Sequence, residues 1–158
     1  MKKKMLKQYE FCGFGFPILL LNVPLREARG EMILDVNYNA LGKVVLEWLA
    51  HKSSPFTGKE IQFIRQSFDM TLPEFAKLLG VTHPAVIKWE NARNRLAKIN
   101  PHLEFFIRLC ILEFLKANKQ EYINVFEQFK QNDNLKKPDR IETVAAKPCK
   151  IEMRRMHC

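Results

Sequence analysis

The sequence predicts a mainly α fold, in which a compact five-helix domain follows a small module made of a β-hairpin and one helix. Two short helical segments, each with its own cap residue, meet at Gly80. A longer and strongly apolar helical segment begins at Pro101. Before residue 37, by contrast, the apolar residues form short runs separated by a turn, as in β-strands.

The composition of the chain changes twice, and we place domain boundaries at those changes. Residues 1–55 are the predicted β-β-α module, which we expect to dimerise or to bind a partner protein. Residues 56–130 are the predicted helical domain. After residue 130 the apolar periodicity ends and Asn, Lys, Pro and Asp cluster, so residues 131–158 are predicted to form a flexible tail.

In the N-terminal module, residues 14–23 and 32–36 are predicted strands, and residues 24–31 form a turn with Pro24 and Gly30. Asn39 is the predicted N-cap of the next helix, whose apolar face comprises Leu41, Val44, Val45, Trp48 and Leu49. A two-stranded hairpin is only marginally stable by itself. It must therefore pack on this helix, on a second copy or on a partner protein.

The helical domain opens with a helix that Thr57 caps and that extends to about Asp69, with Ile61, Ile64 and Phe68 on one buried stripe. In the next helix, Thr71 and Glu74 have the spacing of a capping box. Gly80 is the residue that ends this helix in the left-handed conformation. Its predicted apolar face comprises Phe75, Ala76, Leu78 and Leu79.

A second short helix follows, with Thr82 as its predicted cap and Pro84 in its first turn. One side can face the core through Ala85, Val86 and Trp89. The leading end faces outward through Thr82, His83, Ala85 and Lys88. Two helices joined by a tight turn are typical of a helix-turn-helix, in which the second helix enters the DNA major groove. An ordinary helical hairpin inside a core is the alternative.

Residues 56 to about 115 resemble the λ-repressor-like domain of the Xre family. The resemblance is carried by the run Phe75-Ala76-Lys77-Leu78-Leu79-Gly80-Val81-Thr82 and by Lys88-Trp89-Glu90-Asn91. It implies a λ-repressor-like five-helix domain that binds double-stranded DNA sequence-specifically. The DNA-binding residues it implies are Thr82, His83, Pro84, Ala85, Lys88, Asn91, Arg93 and Arg95.

These residues have two expected roles. His83 can donate to guanine N7 or O6, and Lys88 can reach guanine or a phosphate. Asn91, Arg93 and Arg95 belong to a basic connector and are expected to hold the DNA backbone. The family usually has Gln where this chain has Pro73, and often Gln or Arg where it has His83, so the operator sequence does not carry over.

Two apolar segments follow the connector. Residues 102–116 are apolar on most sides, and residues 121–130 carry a second apolar stripe. Either they are ordinary core, or they also form a subunit interface. A homodimer suits a helix-turn-helix, because a two-fold dimer reads two half-sites of a palindromic operator about one DNA turn apart.

The composition favours an anionic partner. The chain has 158 residues, with 26 Lys and Arg against 17 Asp and Glu and a formal charge of +9. Such a charge favours nucleic acid, although solubility alone is the plain alternative. No apolar run is long enough to span a membrane, and no cleavage site follows the short run at 14–21. We therefore expect a cytoplasmic protein that does not act at a membrane.

The sequence contains no recognisable catalytic or metal-binding motif. Its cysteines, Cys12, Cys110, Cys149 and Cys158, form no Cys-x-x-Cys pair, and Cys110 is expected in the core. A zinc site of Cys12, Cys149, His157 and Cys158 is an alternative with poor ligand spacing. There is no paired-carboxylate motif, nucleophile elbow or phosphate loop. We therefore expect no cofactor, no metal and no enzymatic activity.

The strand–strand–helix arrangement before the Xre-like segment resembles one group of bacterial antitoxins and their regulators, the HigA- and MqsA-like proteins. This resemblance implies a transcription regulator that is the antitoxin of a type II toxin–antitoxin pair. Such a protein neutralises a toxin and represses its own operon. MqsA-type proteins hold zinc through paired cysteines, which this module lacks. An Xre-type transcriptional repressor without a toxin partner is the alternative.

Overall fold

The computed structural model of the chain describes residues 4–131 and, as backbone alone, residues 144–146 and 151–155. The chain divides into two compact units, one formed by residues 1–44 with 140–158 and the other by residues 45–139. The sequence placed a boundary at residue 55, whereas this division falls inside helix α1 (Tyr38–His51). The second half of α1 belongs to the helical unit, where Val45, Leu46 and Leu49 are buried.

The first unit contains an antiparallel sheet built around one long strand. Strand β2 (Ile18–Ala28) pairs with β1 (Lys4–Phe11) from Ile18 to Leu25. Its far end pairs with β3 (Glu31–Leu34). Arg29 and Gly30, with φ of 53° and 80°, form the two-residue turn between β2 and β3. Positive φ at both positions is the geometry that tight hairpins require.

The predicted antiparallel hairpin is present, but the predicted bounds of its strands are wrong. The strand predicted at 14–23 begins at Ile18 and continues through Pro24 and Arg26 to Ala28. The sequence predicted a turn at Pro24, but the Pro24 carbonyl accepts the N–H of Asp35 at 2.8 Å and the strand continues past it. β1 was not predicted at all, because most of its side chains are exposed and its polar sequence lacks a clean alternation.

Two further strands lie in the segment that the sequence predicted to be a flexible tail. Strand β5 (Ile151–Arg155) pairs antiparallel with the start of β2, and β4 (Val144–Ala146) pairs with β5. The prediction is therefore wrong for these two segments. Their pairing uses backbone groups at the edge of β2, which composition alone does not reveal. Residues 132–143, 147–150 and 156–158 lie outside the described part of the chain.

The described residues contain six helices. α1 is followed by α2 (Gly58–Ser67), α3 (Leu72–Leu79), α4 (His83–Glu90), α5 (Pro101–Phe114) and α6 (Lys119–Gln131). Asn37, rather than Asn39, caps α1, because its Oδ1 accepts the N–H groups of Asn39 and Ala40 at 3.0 and 3.1 Å. The expected mainly α fold is thus corrected to a mixed one, an antiparallel sheet followed by helices.

The core of the helical unit contains side chains of α2, α3, α4 and α5. Thr57 caps α2 as predicted, and Glu60 completes a capping box that the sequence analysis did not identify. Ile61 and Ile64 of the predicted stripe are fully buried, while Phe68 is half-buried. Other fully buried core side chains are Phe56, Phe75, Val86, Ile107, Ile111 and Leu112.

Charged side chains surround Phe56 inside this unit. Lys52 and Glu60 are almost completely buried, and Nζ lies 2.6 Å from Oε2. Glu104 Oε1 accepts the Phe56 N–H at 2.8 Å, and the Arg108 guanidinium lies 4.5 Å from the ring centroid. Burial raises the pKa of the Glu104 carboxyl above its ordinary value. Removing one partner of such a buried pair is costly, because the other charge is then buried without its partner.

The last two helices pack on each other through aromatic rings. Phe105 of α5 stacks on Phe129 of α6 with ring centroids 4.5 Å apart. The sequence predicted that α5 would be buried on most sides. Several large apolar side chains of the pair nevertheless remain more than two-fifths exposed, namely Phe106, Phe114, Ile123 and Phe126. Cys110, expected in the core, is half-buried. No helix in the described residues is long and apolar enough to cross a membrane.

Candidate nucleic-acid interface

Both ends of α3 are fixed by residues that the sequence identified. The Thr71 N–H donates to Glu74 Oε2 at 2.7 Å, and the Glu74 N–H donates to Thr71 Oγ1 at 3.4 Å. Donation from the Thr71 backbone, and then from its hydroxyl, lowers the pKa of the Glu74 carboxyl. Gly80 has φ of 66°, the left-handed conformation that ends a helix. The predicted capping box and glycine stop are confirmed.

The start of α4 differs from the prediction in one respect. Thr82 is the N-cap residue with extended backbone, but its side chain makes no cap hydrogen bond. A capping side chain accepts from the second or third residue of the helix. The second residue here is Pro84, which has no N–H, and the N–H of the third, Ala85, bonds to the Thr82 carbonyl at 3.1 Å. The hydroxyl of Thr82 therefore lies exposed at the leading end of α4.

The buried sides of the two helices anchor them to the core. In α4, Val86 is fully buried and Trp89 is 9% exposed, as predicted. In α3, the buried residues are Phe75, Ala76 and Leu79. Leu78 was predicted on this face but is 38% exposed. Its position is about a quarter-turn from Leu79, which is enough to bring it out of the core.

The opposite side of α4 is open to solvent and carries most of the predicted site. Its exposed residues are Thr82 at the cap, His83, Pro84, Ile87 and Lys88. Ala85 was predicted both among the core-facing residues and among the outward-facing ones, and it is half-buried. Ile87 was not among the predicted site residues. Helical periodicity in the sequence already indicates that Ile87 is exposed, because it follows His83 by four positions and so shares its face of the helix.

Arg65 and Glu90 connect α4 to α2. Arg65 Nε lies 2.6 Å from Glu90 Oε1, and its Nη2 lies 3.2 Å from Oε2. The same guanidinium donates to the Met70 carbonyl at 2.9 Å, in the turn before α3. One side chain of α2 therefore contacts both the end of α4 and the turn that precedes α3. Local sequence patterns do not reveal this contact, because 25 residues separate its partners.

Gly58, the first residue of α2, lies directly against the end of α4. A Cβ on Gly58 would overlap the Trp89 carbonyl oxygen and would lie 2.6 Å from the Arg93 nitrogen and 2.9 Å from the Glu90 oxygen. All three obstacles are backbone atoms, which cannot rotate away as a side chain can. The absence of a side chain at Gly58 therefore permits the close approach of α2 to α4.

The basic connector after α4 has a fixed backbone and exposed side chains. The carbonyls of Arg93 and Arg95 accept the N–H groups of Lys59 and Gly58 at 2.9 and 3.2 Å. Arg93 has φ of 53°, so the chain turns sharply there. The side chains of Asn91, Arg93 and Arg95 are exposed, as a role at the DNA backbone requires. Rigid backbone below exposed guanidinium groups limits the entropy lost when they bind an anion.

The segment that contains α3 and α4 carries a net positive charge. Residues 71–100 contain five basic residues, Lys77, Lys88, Arg93, Arg95 and Lys98, and two acidic ones, Glu74 and Glu90. All five basic side chains are exposed, whereas Glu90 is 12% exposed and paired with Arg65. The exposed surface of this segment therefore carries an excess of cations, which suits a polyanion.

No protein-family model, curated protein or solved structure matches this chain. Its function must therefore be inferred from its own residues and their geometry. Within residues 4–131, no three His, Cys, Asp or Glu side chains are grouped as a metal site would need. Of the alternative zinc ligands, Cys12 is exposed, and Cys149, His157 and Cys158 lie outside the described residues.

Proposed function

We propose that this protein is a sequence-specific DNA-binding regulator of transcription, which acts in the cytoplasm. In this proposal α4 enters the major groove as the recognition helix of a λ-repressor-like helix-turn-helix. The observation that carries it is the exposed face of α4. His83 and Lys88 lie on that face, while Val86 and Trp89 hold the opposite face in the core. This face offers a hydrogen-bond donor and a cation, which are the groups that the acceptors of guanine and the DNA phosphates bind.

Base contacts are assigned to this face of α4 and backbone contacts to the connector. His83 and Lys88 donate to base edges, with guanine as the matching base. Thr82 and Pro84 lie at the leading end, where α4 comes closest to the groove. Arg93 and Arg95, together with Asn91, bind phosphates and set the register of the protein on the duplex.

The protein is proposed to work as a homodimer through α5 and α6. Phe106, Phe114, Ile123 and Phe126 keep a large part of their apolar surface exposed, which costs free energy unless something covers it. A second copy would cover it and would also supply a second recognition helix. Two helices read two half-sites, so the proposed operator is a palindrome.

A selection from random double-stranded DNA tests the proposal. The wild-type chain is expected to enrich a palindromic motif, and the Lys88→Ala/Arg93→Ala variant is expected to lose that enrichment while remaining folded. The matched control replaces two exposed lysines outside both the recognition face and the proposed dimer surface, Lys7→Ala/Lys43→Ala, and should enrich the same motif. Selection that survives Lys88→Ala/Arg93→Ala unchanged would show that the site lies elsewhere.

A second role as the antitoxin of a toxin–antitoxin pair is proposed for the N-terminal unit. It is supported by the form of β1, which among the described strands pairs only with β2 and so keeps one edge open. An open strand edge is a common docking surface for a partner protein. Co-expression with the product of a neighbouring gene tests this role. Restored growth supports a toxin partner, whereas an unrelieved growth defect leaves the alternative, a repressor without a toxin.

A further inference from the structure

Ile87 lies in the middle of α4, and its side chain is 38% exposed. Four positions on a helix amount to slightly more than one turn, so Ile87 lies on the same face as His83, next to Lys88. Both of those neighbours are exposed as well. Ile87 is thus a branched aliphatic side chain on a face that also carries His83, Pro84 and Lys88.

The fold covers the larger part of Ile87 and leaves 38% of it open to solvent. Val86 and Trp89 anchor α4 in the core, and Arg65 holds its end through Glu90. Isoleucine is also a poorer helix former than alanine or leucine, so an exposed helical position gains no intrinsic stability from it. The exposed part of the side chain is therefore free to contact a ligand that approaches this face.

In the DNA major groove, one base carries an apolar group on its exposed edge. That group is the C5-methyl of thymine, whereas the other bases present hydrogen-bond donors and acceptors. An aliphatic side chain pressed against a donor or an acceptor leaves that group without its partner, which costs free energy. Next to a methyl group, both apolar surfaces leave water together. The chemistry of Ile87 therefore favours thymine over the other three bases.

We propose that Ile87 contacts the C5-methyl group of one thymine in each half-site and so specifies an A·T pair at that position. This inference rests on the proposed DNA-binding function. Beside the hydrogen-bond donors of His83 and Lys88, it adds a residue that recognises a base by shape and apolar contact. Guanine recognition by those donors and thymine recognition by Ile87 would together define adjacent positions of the half-site.

The test uses the operator that emerges from the selection. Each thymine is replaced in turn by deoxyuridine, which removes the methyl group and keeps the pairing and the O4 acceptor. One thymine per half-site is expected to respond, and its replacement should weaken wild-type binding about fourfold per half-site, the equivalent of one buried methyl group. The Ile87→Ala variant should bind the thymine duplex more weakly and should be indifferent to this replacement. Ile87→Val, which keeps part of the contact, should lie between the two.

Leu78→Ala is the matched control, because Leu78 is equally exposed but lies on α3. It should keep the full response to deoxyuridine. The inference is overturned if no thymine responds, or if wild type and Ile87→Ala respond equally. Those results would leave DNA binding intact, since an operator would have been selected. Failure to enrich any motif would instead refute the DNA-binding proposal, and the Ile87 contact with it.

Discussion

Arg65 and Glu90 form a two-pronged ion pair between α2 and the last residue of α4, with N–O distances of 2.6 and 3.2 Å. The two side chains are only 13% and 12% exposed, so water screens their attraction weakly. Because Arg65 also bonds to the Met70 carbonyl, it connects the turn before α3 with the end of the proposed recognition helix. Arg65 of α2 thus contributes to the orientation of α4.

We expect removal of either partner of this pair to lower the free energy of unfolding by about 1.5–3 kcal/mol, the range for hydrogen bonds to charged groups. A double-mutant cycle with Arg65→Ala and Glu90→Ala, followed by urea unfolding, isolates their coupling. The matched control is the pair Lys130–Glu127, which is more than half exposed. Its coupling should be about 0–0.5 kcal/mol. Equal coupling in the two pairs would mean that the buried pair does not fix α4.

Gly58→Ala should destabilise the helical unit by about 1–3 kcal/mol, because its Cβ meets backbone atoms of Trp89, Glu90 and Arg93. Thermal unfolding followed by circular dichroism measures the change. Gly42→Ala in α1 is the control, since its Cβ would meet only the Phe14 ring at 3.9 Å. That substitution should stabilise the chain by about 0.5–1 kcal/mol through helix propensity. A Gly58→Ala variant as stable as wild type would contradict the close approach.

The Glu104 carboxyl should make stability depend on pH. Burial raises its pKa above 4.5, so from pH 4.5 up to the raised pKa the folded chain holds more protons than the unfolded chain. In that interval the free energy of unfolding contributed by Glu104 falls as pH rises. Glu104→Gln removes this titration and keeps an oxygen for the Phe56 N–H. Its stability relative to wild type should therefore rise with pH.

Urea unfolding at a series of pH values, from below 4.5 to neutral, measures this difference. Glu104→Ala provides the contrast, because it leaves the Phe56 N–H without its acceptor. That variant should be about 1–3 kcal/mol less stable than Glu104→Gln throughout the series. A stability difference between Glu104→Gln and wild type that is flat, or that falls with pH, would show that burial does not dominate the titration of this carboxyl.

The proposed dimer should depend on the exposed aromatic residues of α5 and α6. Phe106→Glu places a charge on a side chain that is 41% exposed, so the monomer should still fold while a dimer through this surface should dissociate. Analytical ultracentrifugation over a range of concentrations measures the result. Met5→Glu, at an even more exposed apolar residue on β1, should leave the mass unchanged. A wild-type chain that is monomeric throughout would refute the dimer.

The parts of the fold that the sequence revealed are those with local causes. Thr57, Thr71 and Gly80 act within one turn of their own helices, and their positions were correct. The parts it missed depend on partners far along the chain. Strand β1 has an almost fully exposed sequence and is ordered by pairing with β2, and β5 is added to that same strand from the other end of the chain.

The candidate site likewise has a part that the local sequence predicts and a part that depends on residues far along the chain. Helical periodicity placed His83 and Lys88 opposite Val86 and Trp89, and all four have the expected exposure. The same periodicity pointed to Ile87, which was overlooked because it is neither polar nor charged. Glu90 belongs to the run Lys88-Trp89-Glu90-Asn91, but its partner Arg65 lies on another helix. Only the folded chain shows that pair.

The central claim is that α4 reads sequence while the connector binds the backbone. It is tested most directly by the ratio of dissociation constants for the selected operator and for a scrambled duplex of equal length, measured at several salt concentrations. His83→Ala should reduce that ratio by weakening operator binding about 5–100-fold. Arg93→Ala should weaken both duplexes alike, keep the ratio and lower the salt slope by about one. A wild-type ratio of one, or a ratio that His83→Ala leaves unchanged while Arg93→Ala abolishes it, would contradict the claim.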